Sequence, residues 1–366
     1  MLINQAGLLV VIGIPIGLLF LLCTNDVLWG KNQFRYQPLV GAGDLEEVGS
    51  LTSKPFRSSR LSTEENRRLE SFVDGTIDKS APDLAGLAAL KARRPSMKNK
   101  FPIHHIHIPK NSGSSLTMML EKNKPPSKRF CNRCKQRKEC IERFYSIKPE
   151  EFTPCDIIST HMPLGFPELF VKKKNFVQIV ILRDPLRRAQ SYYDYVKSSG
   201  PVHTNYEDVK VNSIGKILQR SKNLKGGQKE RTSRHQLNFV NEQTWFLCGQ
   251  KCDPSKMTLE AALHQARRNL LERCHFVGVQ EDLQPFLDRL RSVYGWFPES
   301  FGRTNMHKVN HTQLLPADAE VAQELLWADI SLHRLARDVA RIDAAAGPAV
   351  AREGGEAVVA GATGQR

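Results

Sequence analysis

The feature that most constrains the fold is a strand–loop–helix pattern that occurs twice along the chain. An apolar strand at 102–108 leads through a polar loop into a helix at 114–122. The run NFVQIVILR at 175–183 leads into a helix at 184–199, with Asp184 as the expected N-cap and Pro185 as the first helical residue. Further strands are expected at 155–160 and 275–279, and further helices at 258–272 and 281–294. Helices that alternate with apolar strands predict an α/β fold, with a central parallel sheet between two helical layers.

The first loop, IPKNSGSSL at 108–116, has the composition of an anion-binding site. The N–H groups and the dipole of a helix N-terminus favour an anion, Gly113 permits close approach, and Lys110 adds positive charge. The three-layer arrangement is P-loop-like, but the lysine precedes the glycine, whereas G-x-x-x-x-G-K-[ST] places it afterwards. An ordinary serine-capped turn is the alternative. The candidate ligand-binding residues are Lys110, Asn111, Ser112, Gly113, Ser114 and Ser115.

The second loop supplies a second set of candidate anion ligands. Arg183 ends a strand that reads as buried, and open α/β sheets bind ligands at the carboxyl ends of their strands. Arg188 and Ser191 are three positions apart on the following helix and can share one face. An arginine and a hydroxyl that converge here suit a second phosphate group. Solvated surface arginines are the alternative.

The net charge of +15 predicts an anionic partner: nucleic acid, a membrane, a phosphorylated cofactor or an acidic polysaccharide. This charge is unevenly distributed, since residues 101–200 alone hold 18 basic against 9 acidic side chains. The stretches from Lys122 to Lys138 and at 172–174 are candidates for a track that binds an acidic polymer. Solvated surface is the alternative there as well.

The N-terminal segment predicts a membrane anchor. Residues 7–23 form an uncharged apolar run, which is at the short end of the length needed to span a bilayer. A cleaved signal peptide is the main alternative, but no small-residue cleavage site is evident. Residues 1–6 are then a short cytoplasmic tail, and the polar segment 24–100 is a stem. The flanking charges do not support a luminal C-terminus, so the orientation depends on the rest of the chain.

Seven cysteines follow the predicted anchor, in one group at 131–155 and another at 248–274. A zinc site is conceivable from the C-x2-C-x5-C spacing, but zinc knuckles usually pair two short units. Disulfides in an oxidising lumen fit a membrane-anchored chain better. The sequence N-H-T at Asn310 is an N-glycosylation sequon, which also favours the lumen.

Taken together, the two loops resemble those of the Golgi carbohydrate sulfotransferases. Strand–PKNSGSSL–helix followed by strand–RDPLRRAQS–helix is similar to the two cofactor loops of that family, although Asn111 stands where threonine is common. The segments LGFPELFVKKKNFVQIVILRDP, FLCGQKC and QARRNLLERCHFVGVQEDLQPFL look most like the heparan sulfate and uronyl 2-O-sulfotransferase branch. The resemblance spans roughly residues 102–300. It implies 3′-phosphoadenosine 5′-phosphosulfate as the sulfate donor.

The resemblance also implies roles for single residues. Lys110 would contact the bridging oxygen between phosphate and sulfate, and the loop that follows it would hold the 5′-phosphate. Arg183 and Ser191 would bind the 3′-phosphate. His161 stands where the 2-O branch has its catalytic base, while Ser159 replaces a second histidine of the relatives. The rival bases lie in one strand, in which His105 and His107 share a face and His104 takes the other.

Contacts to the acceptor and one disulfide complete this picture. His107 stands where the 2-O relatives carry an arginine that contacts the substrate, so it is assigned to the acceptor together with Arg188. The motif FLCGQKC suggests a Cys248–Cys252 disulfide that fixes a loop near the site. Two reduced cysteines, or pairing with other cysteines, are the alternative.

With the resemblance, the sequence predicts a single-pass type II Golgi membrane protein with a luminal sulfotransferase domain at 101–342 and a disordered tail at 343–366. The enzyme would move a sulfuryl group to a hydroxyl of an acidic glycan, most specifically the 2-hydroxyl of a uronic acid in a glycosaminoglycan, without a metal. The glycan and the Golgi membrane are the expected partners, nucleic acid is not, and a homo-oligomer is left open. The alternatives are sulfation of another glycan position, a nucleotide kinase with an altered loop, and a tethered glycan-binding protein with an inactive cofactor site.

Overall fold

The structure is a computed structural model that describes residues 101–133, 147–171, 175–203, 205–223, 240–254, 256–300, 312 and 314–345. The predicted cytoplasmic tail, membrane anchor and stem (1–100), Asn310 and the lysines at 172–174 lie outside these ranges, as does most of the predicted tail. Across the described ranges, no helix is both long enough and apolar enough to cross a bilayer.

A parallel sheet of five strands forms the centre of the described fold, which confirms the predicted α/β class. Four of the strands coincide with predicted ones to within two residues at each end, and the short strand at 130–132 was not predicted. The spatial order is β2-β3-β1-β4-β5, so β1 lies between β3 and β4. The strands are β1 (Ile103–Ile106), β2 (Phe130–Asn132), β3 (Ile157–Thr160), β4 (Val177–Leu182) and β5 (Cys274–Val279).

Helices connect the strands and cover the sheet. Asp184 accepts a hydrogen bond from the Arg187 N–H at 2.9 Å and Pro185 opens the helix, so the predicted N-cap is confirmed. Thr258 caps the helix that begins at Leu259 in the same way, through the Ala261 N–H. The helices are α1 (Gly113–Asn123), α2 (Pro185–Ser199), α3 (Tyr206–Val211), α4 (Ile214–Asn223), α5 (Glu242–Cys248), α6 (Leu259–Glu272), α7 (Gln284–Tyr294), α8 (Pro316–Leu325) and α9 (Trp327–Ala345).

The alternation of side chains along β4 explains the two apolar layers of the core. Ile179 and Ile181 face a cluster that includes residues of α1 and α7, whereas Val180 and Leu182 face a cluster built from α5, α6 and α9. All four side chains are essentially inaccessible to solvent. Full burial of such a side chain stabilises the fold by about 1.5–3 kcal/mol. The continuous apolar run at 175–183 therefore predicted a strand covered on both faces, as the structure has it.

Two disulfides lie in the described part of the chain. Cys248–Cys252 links the end of α5 to the loop after it, which confirms the predicted pair. Cys131–Cys155 links β2 to the segment before β3, so Cys131 is not available as a zinc ligand. Cys274 is buried at the start of β5.

Candidate functional site

Three of the predicted site residues lie at one edge of the sheet, because each follows the carboxyl end of a parallel strand. Lys110 follows β1, His161 follows β3 and Arg183 follows β4. These strands are parallel neighbours with β1 in the middle, so their carboxyl ends lie side by side. The edge is the usual ligand-binding position of an open α/β sheet.

The first loop adopts a tight backbone conformation that is held from inside by Asn111. Lys110 and Ser112 both have left-handed φ angles, 67° and 61° respectively. Between them, the buried Asn111 donates from Nδ2 to the carbonyl oxygen of Ile181 at 2.9 Å and to Oε1 of Gln243 at 2.8 Å. The Asn111 side chain, assigned from the sequence to cofactor binding, thus ties the loop to β4 and α5.

Gln243 and Arg183 join the second loop to the first. Gln243 accepts from the Arg183 N–H through Oε1 and donates to the Arg183 carbonyl through Nε2, both at 2.9 Å. The Arg183 guanidinium donates from Nη1 to the Lys110 carbonyl at 3.0 Å. Its Nε is buried and has no hydrogen-bond partner among the described residues. The two predicted anion loops therefore form one connected unit.

The Lys110 ammonium lies over the Tyr195 ring of α2, with Nζ 4.5 Å from the ring centroid. This cation–π contact holds the charge at the edge of the site, since Tyr195 is 43% exposed. Burial, and then the neighbouring Arg183 charge, lower the pKa of Lys110. An anion bound between the two cations would relieve their repulsion.

The N-terminus of α1 carries the predicted glycine and serines. Ser112 occupies the N-cap without a side-chain capping hydrogen bond, and no acidic residue lies in the first turn. Ser114 is exposed, while Ser112 and Ser115 are half-buried. Gly113 is needed for a reason that the sequence did not show: a Cβ there would lie 2.0 Å from Cδ2 of His107. The close approach that this glycine permits is to an imidazole ring.

A row of three imidazoles lies beside this helix end. The His105 and His107 rings are stacked with centroids 5.3 Å apart, and the His161 ring centroid is 3.9 Å from that of His107. His104 points to the opposite face, where it contacts Gln178 Oε1 at 2.7 Å and Thr160 Oγ1 at 3.1 Å. The predicted division of the strand histidines between two faces is confirmed.

The four candidate bases differ in how far burial affects their pKa and their accessibility. Burial lowers the pKa of His104 and of His105 to about 3. Burial, followed by the nearby His161 and His105, also holds the pKa of His107 well below its ordinary value. His161 alone of these four is partly exposed. A substrate can therefore reach His161 more readily than the other three.

Two predicted site residues of α2 occupy different environments. Arg188 is fully buried, with Nη1 2.6 Å from Oε2 of Glu242. Ser191, one turn further along α2, is half-buried. The sequence assigned Arg188 to acceptor binding, but in the structure Arg188 joins α2 to the start of α5. Ser191 lies on the part-exposed surface of α2.

Sequence reasoning missed the residues that support the site. Gln243 and Glu242 lie on the unpredicted helix α5, and Thr117 was seen only as part of α1. Asp329 on α9 accepts from the Thr244 N–H at 2.7 Å and so fixes the N-terminus of α5. The run N-E-Q-T at 241–244 offers a weak signal, because four polar residues precede an apolar turn. The partners that these four residues bind across the fold are 54 or more positions away along the chain.

Comparison with known proteins finds a distant relative. No family model matches the chain. An uncharacterized protein of Archaeoglobus fulgidus is 25% identical to it over 223 residues, which cover 57% of this chain and 80% of that protein. The similarity extends over most of the archaeal protein and assigns no activity to either chain.

Proposed function

We propose that the protein transfers a sulfuryl group from 3′-phosphoadenosine 5′-phosphosulfate to a hydroxyl of an acidic glycan. The observation that carries this proposal is the direct link between the two cationic loops, Arg183 Nη1 to the Lys110 carbonyl at 3.0 Å, at the carboxyl edge of the sheet. A donor with phosphates at both its 5′ and 3′ ends needs two anion sites in one cleft. ATP, in contrast, presents its phosphates in a single chain.

The residues present fit such a donor. The Arg183 Nε is a buried donor that lacks a protein partner within the described ranges, and a phosphate oxygen would supply one. At α1, the uncapped N-terminus without acidic residues suits the 5′-phosphosulfate. Ser191 lies on the helix that begins directly after Arg183 and would complete the 3′-phosphate site. Together with the parallel sheet, a phosphate site in the loop after β1 would make the fold P-loop-like.

In the proposed reaction the sulfur–oxygen bond to the donor's phosphate breaks while a bond to the acceptor oxygen forms. The bridging oxygen retains the electron pair, and Lys110 stabilises the charge that develops on it. His161 takes the proton of the acceptor hydroxyl, because it is the accessible imidazole of the row and stands at the end of β3. The protein otherwise contributes positioning.

The acceptor assignment is the finer part of the proposal. The 2-hydroxyl of a uronic acid in a glycosaminoglycan, a Golgi membrane location and a luminal domain rest on the resemblance of residues 102–300 to the 2-O branch. The two disulfides agree with an oxidising compartment. The alternatives are sulfation of another glycan position and glycan binding without catalysis. The experiment below uses several acceptor glycans to distinguish them.

The test is transfer of labelled sulfate to a panel of desulfated glycosaminoglycans by the full chain and three variants. Lys110→Ala and His161→Ala should each lower kcat by about 100-fold or more, the range for a charge-stabilising group or a general base. Lys128→Ala is the matched control. Its Nζ also lies 4.5 Å from an aromatic centroid, that of Phe101, but next to Asp156 before β3, at the opposite edge of the sheet.

Each outcome separates one part of the proposal. Transfer to no member of the panel by a chain that binds the donor product contradicts the uronic-acid assignment. Full activity of His161→Ala excludes His161 as the base and turns attention to His107. An equal loss in Lys128→Ala and Lys110→Ala would show that the effect is not specific to the site.

A further inference from the structure

Four polar groups form a continuous chain between β1, β3 and α1. His105 Nδ1 lies 3.0 Å from Ser159 Oγ, which lies 2.8 Å from Thr117 Oγ1. Thr117 Oγ1 in turn lies 3.4 Å from His107 Nδ1, and 3.3 Å from His105 Nδ1. All four residues are at most 7% exposed. A chain of hydroxyls between two imidazoles fixes where each imidazole carries its proton.

The direction of the hydrogen bonds among these four groups is set at the His105 end. Burial keeps both imidazoles neutral, so each has one N–H and one lone pair. His105 Nε2 is buried without a hydrogen-bond partner in the described part of the chain. A buried N–H without an acceptor is energetically costly and rare. The His105 proton therefore belongs on Nδ1, from which it donates to Ser159.

Each later step follows from the one before. Because Ser159 accepts from His105, its own hydroxyl proton is directed at Thr117. The Thr117 hydroxyl then donates to Nδ1 of His107. With Nδ1 of His107 as an acceptor, the single proton of that ring lies on Nε2.

The Nε2 edge of His107 faces the N-terminus of α1. A Cβ on Gly113 would lie 2.5 Å from His107 Nε2, so this nitrogen is packed against the first residue of the helix. We propose that Thr117 and Ser159 are positioning residues that hold His107 as a neutral Nε2–H donor to a non-bridging oxygen of the anion bound at this helix end. The proposal rests on the proposed function, for which that anion is the phosphosulfate group.

Long-range proton–nitrogen NMR of the full chain, labelled with 15N-histidine, tests the chain of hydrogen bonds without any substrate. The expected spectrum has the His107 proton on Nε2 and the His105 proton on Nδ1. In Thr117→Val, His107 should lose this single tautomer, whereas Thr117→Ser should keep it. Thr160→Val is the matched control, because it removes the hydroxyl that contacts His104 on the other face of the same strand.

Kinetics then tests the link to the proposed reaction. Thr117→Val should lower kcat for sulfate transfer by about tenfold, the effect of one neutral hydrogen bond, and Thr117→Ser should restore it. A wild-type spectrum with the His107 proton on Nδ1 overturns the proposal, and it does so even if Thr117→Val fails to fold. An unchanged His107 tautomer in Thr117→Val also overturns it. Absence of transfer by a wild-type protein with the expected spectrum would instead contradict the proposed function.

Discussion

The contact between Gly113 and His107 makes Gly113→Ala an informative perturbation. A Cβ at position 113 would meet three atoms of the His107 ring at 2.0, 2.5 and 2.8 Å. The ring cannot easily move away, because it is 7% exposed and lies between the rings of His105 and His161. We therefore expect this substitution to destabilise the protein, although alanine is the better helix former.

Two opposing contributions set the size of the effect. Alanine is favoured over glycine in a helix by about 0.5–1 kcal/mol. Overpacking a filled site costs about 1–3 kcal/mol. Because three ring atoms are too close, we take the upper half of that range and expect a net loss of about 2 kcal/mol in the free energy of unfolding. Helix propensity alone predicts that Gly113→Ala increases the free energy of unfolding.

Urea unfolding of a double-mutant cycle measures this contact. In a His107→Ala background, Gly113→Ala should be neutral or stabilising by up to about 1 kcal/mol, which gives a coupling of about 2–3 kcal/mol. Gly295→Ala is a control for the backbone, because Gly295 has a φ of 75° and no atom within 4 Å of a Cβ. Its cost should not depend on His107. A Gly113→Ala protein as stable as wild type, or one whose loss of stability persists without the His107 ring, would show that this ring does not exclude a Cβ at position 113.

Three further predictions concern stability. Arg188→Met should cost about 3–5 kcal/mol, because it removes the positive charge that faces the buried Glu242 carboxylate, whereas Arg220→Met, in an exposed pair with Asp208, should cost under about 1 kcal/mol; similar losses by urea unfolding would contradict this. Chain entropy predicts that Cys131→Ser, which opens a link 24 residues long, costs about 3.5 kcal/mol, and Cys248→Ser, with a link of 4 residues, about 2 kcal/mol. The order of the two midpoints under oxidising conditions checks this. Burial lowers the pKa of His104 and of His105 to about 3, so below pH 6.5 the unfolded chain binds protons that the folded chain does not. The free energy of unfolding should therefore fall as the pH falls from 6.5 towards 3, by up to about 1.4 kcal/mol per pH unit for each histidine; a flat profile between pH 7 and pH 5 would contradict the burial of neutral imidazoles.

The parts of the fold that could be predicted from the sequence are those with local signals. The apolar β-branched run of β4, and Asp184 and Pro185 after it, place a strand and a helix start by residue type alone. The same logic puts Lys110 and Arg183 after parallel strands, hence at one edge of the sheet. The order of β1 between β3 and β4 had no local signal, since it depends on long-range pairing.

The contacts that position the site residues could not be predicted, because the residues that make them are distant in sequence. Asn111 was expected to face a ligand, but its amide reaches Gln243, 132 positions away. Gly113 was correctly identified as a position of close approach, while the group that approaches is His107. Arg188 was assigned to the acceptor, but it is buried against Glu242, which lies on a helix that is too short to show a helical period.

The proposed donor site is tested by the affinity of the full chain for 3′-phosphoadenosine 5′-phosphate compared with adenosine 5′-monophosphate, measured by calorimetry at fixed ionic strength. If Arg183 and Ser191 form a 3′-phosphate site, the doubly phosphorylated nucleotide should bind about 10–100-fold more tightly, as expected for one or two charge-assisted hydrogen bonds. Arg183→Met should remove most of that difference. Equal affinity of the wild-type protein for the two nucleotides, or no binding of either, would rule out the proposed 3′-phosphate site.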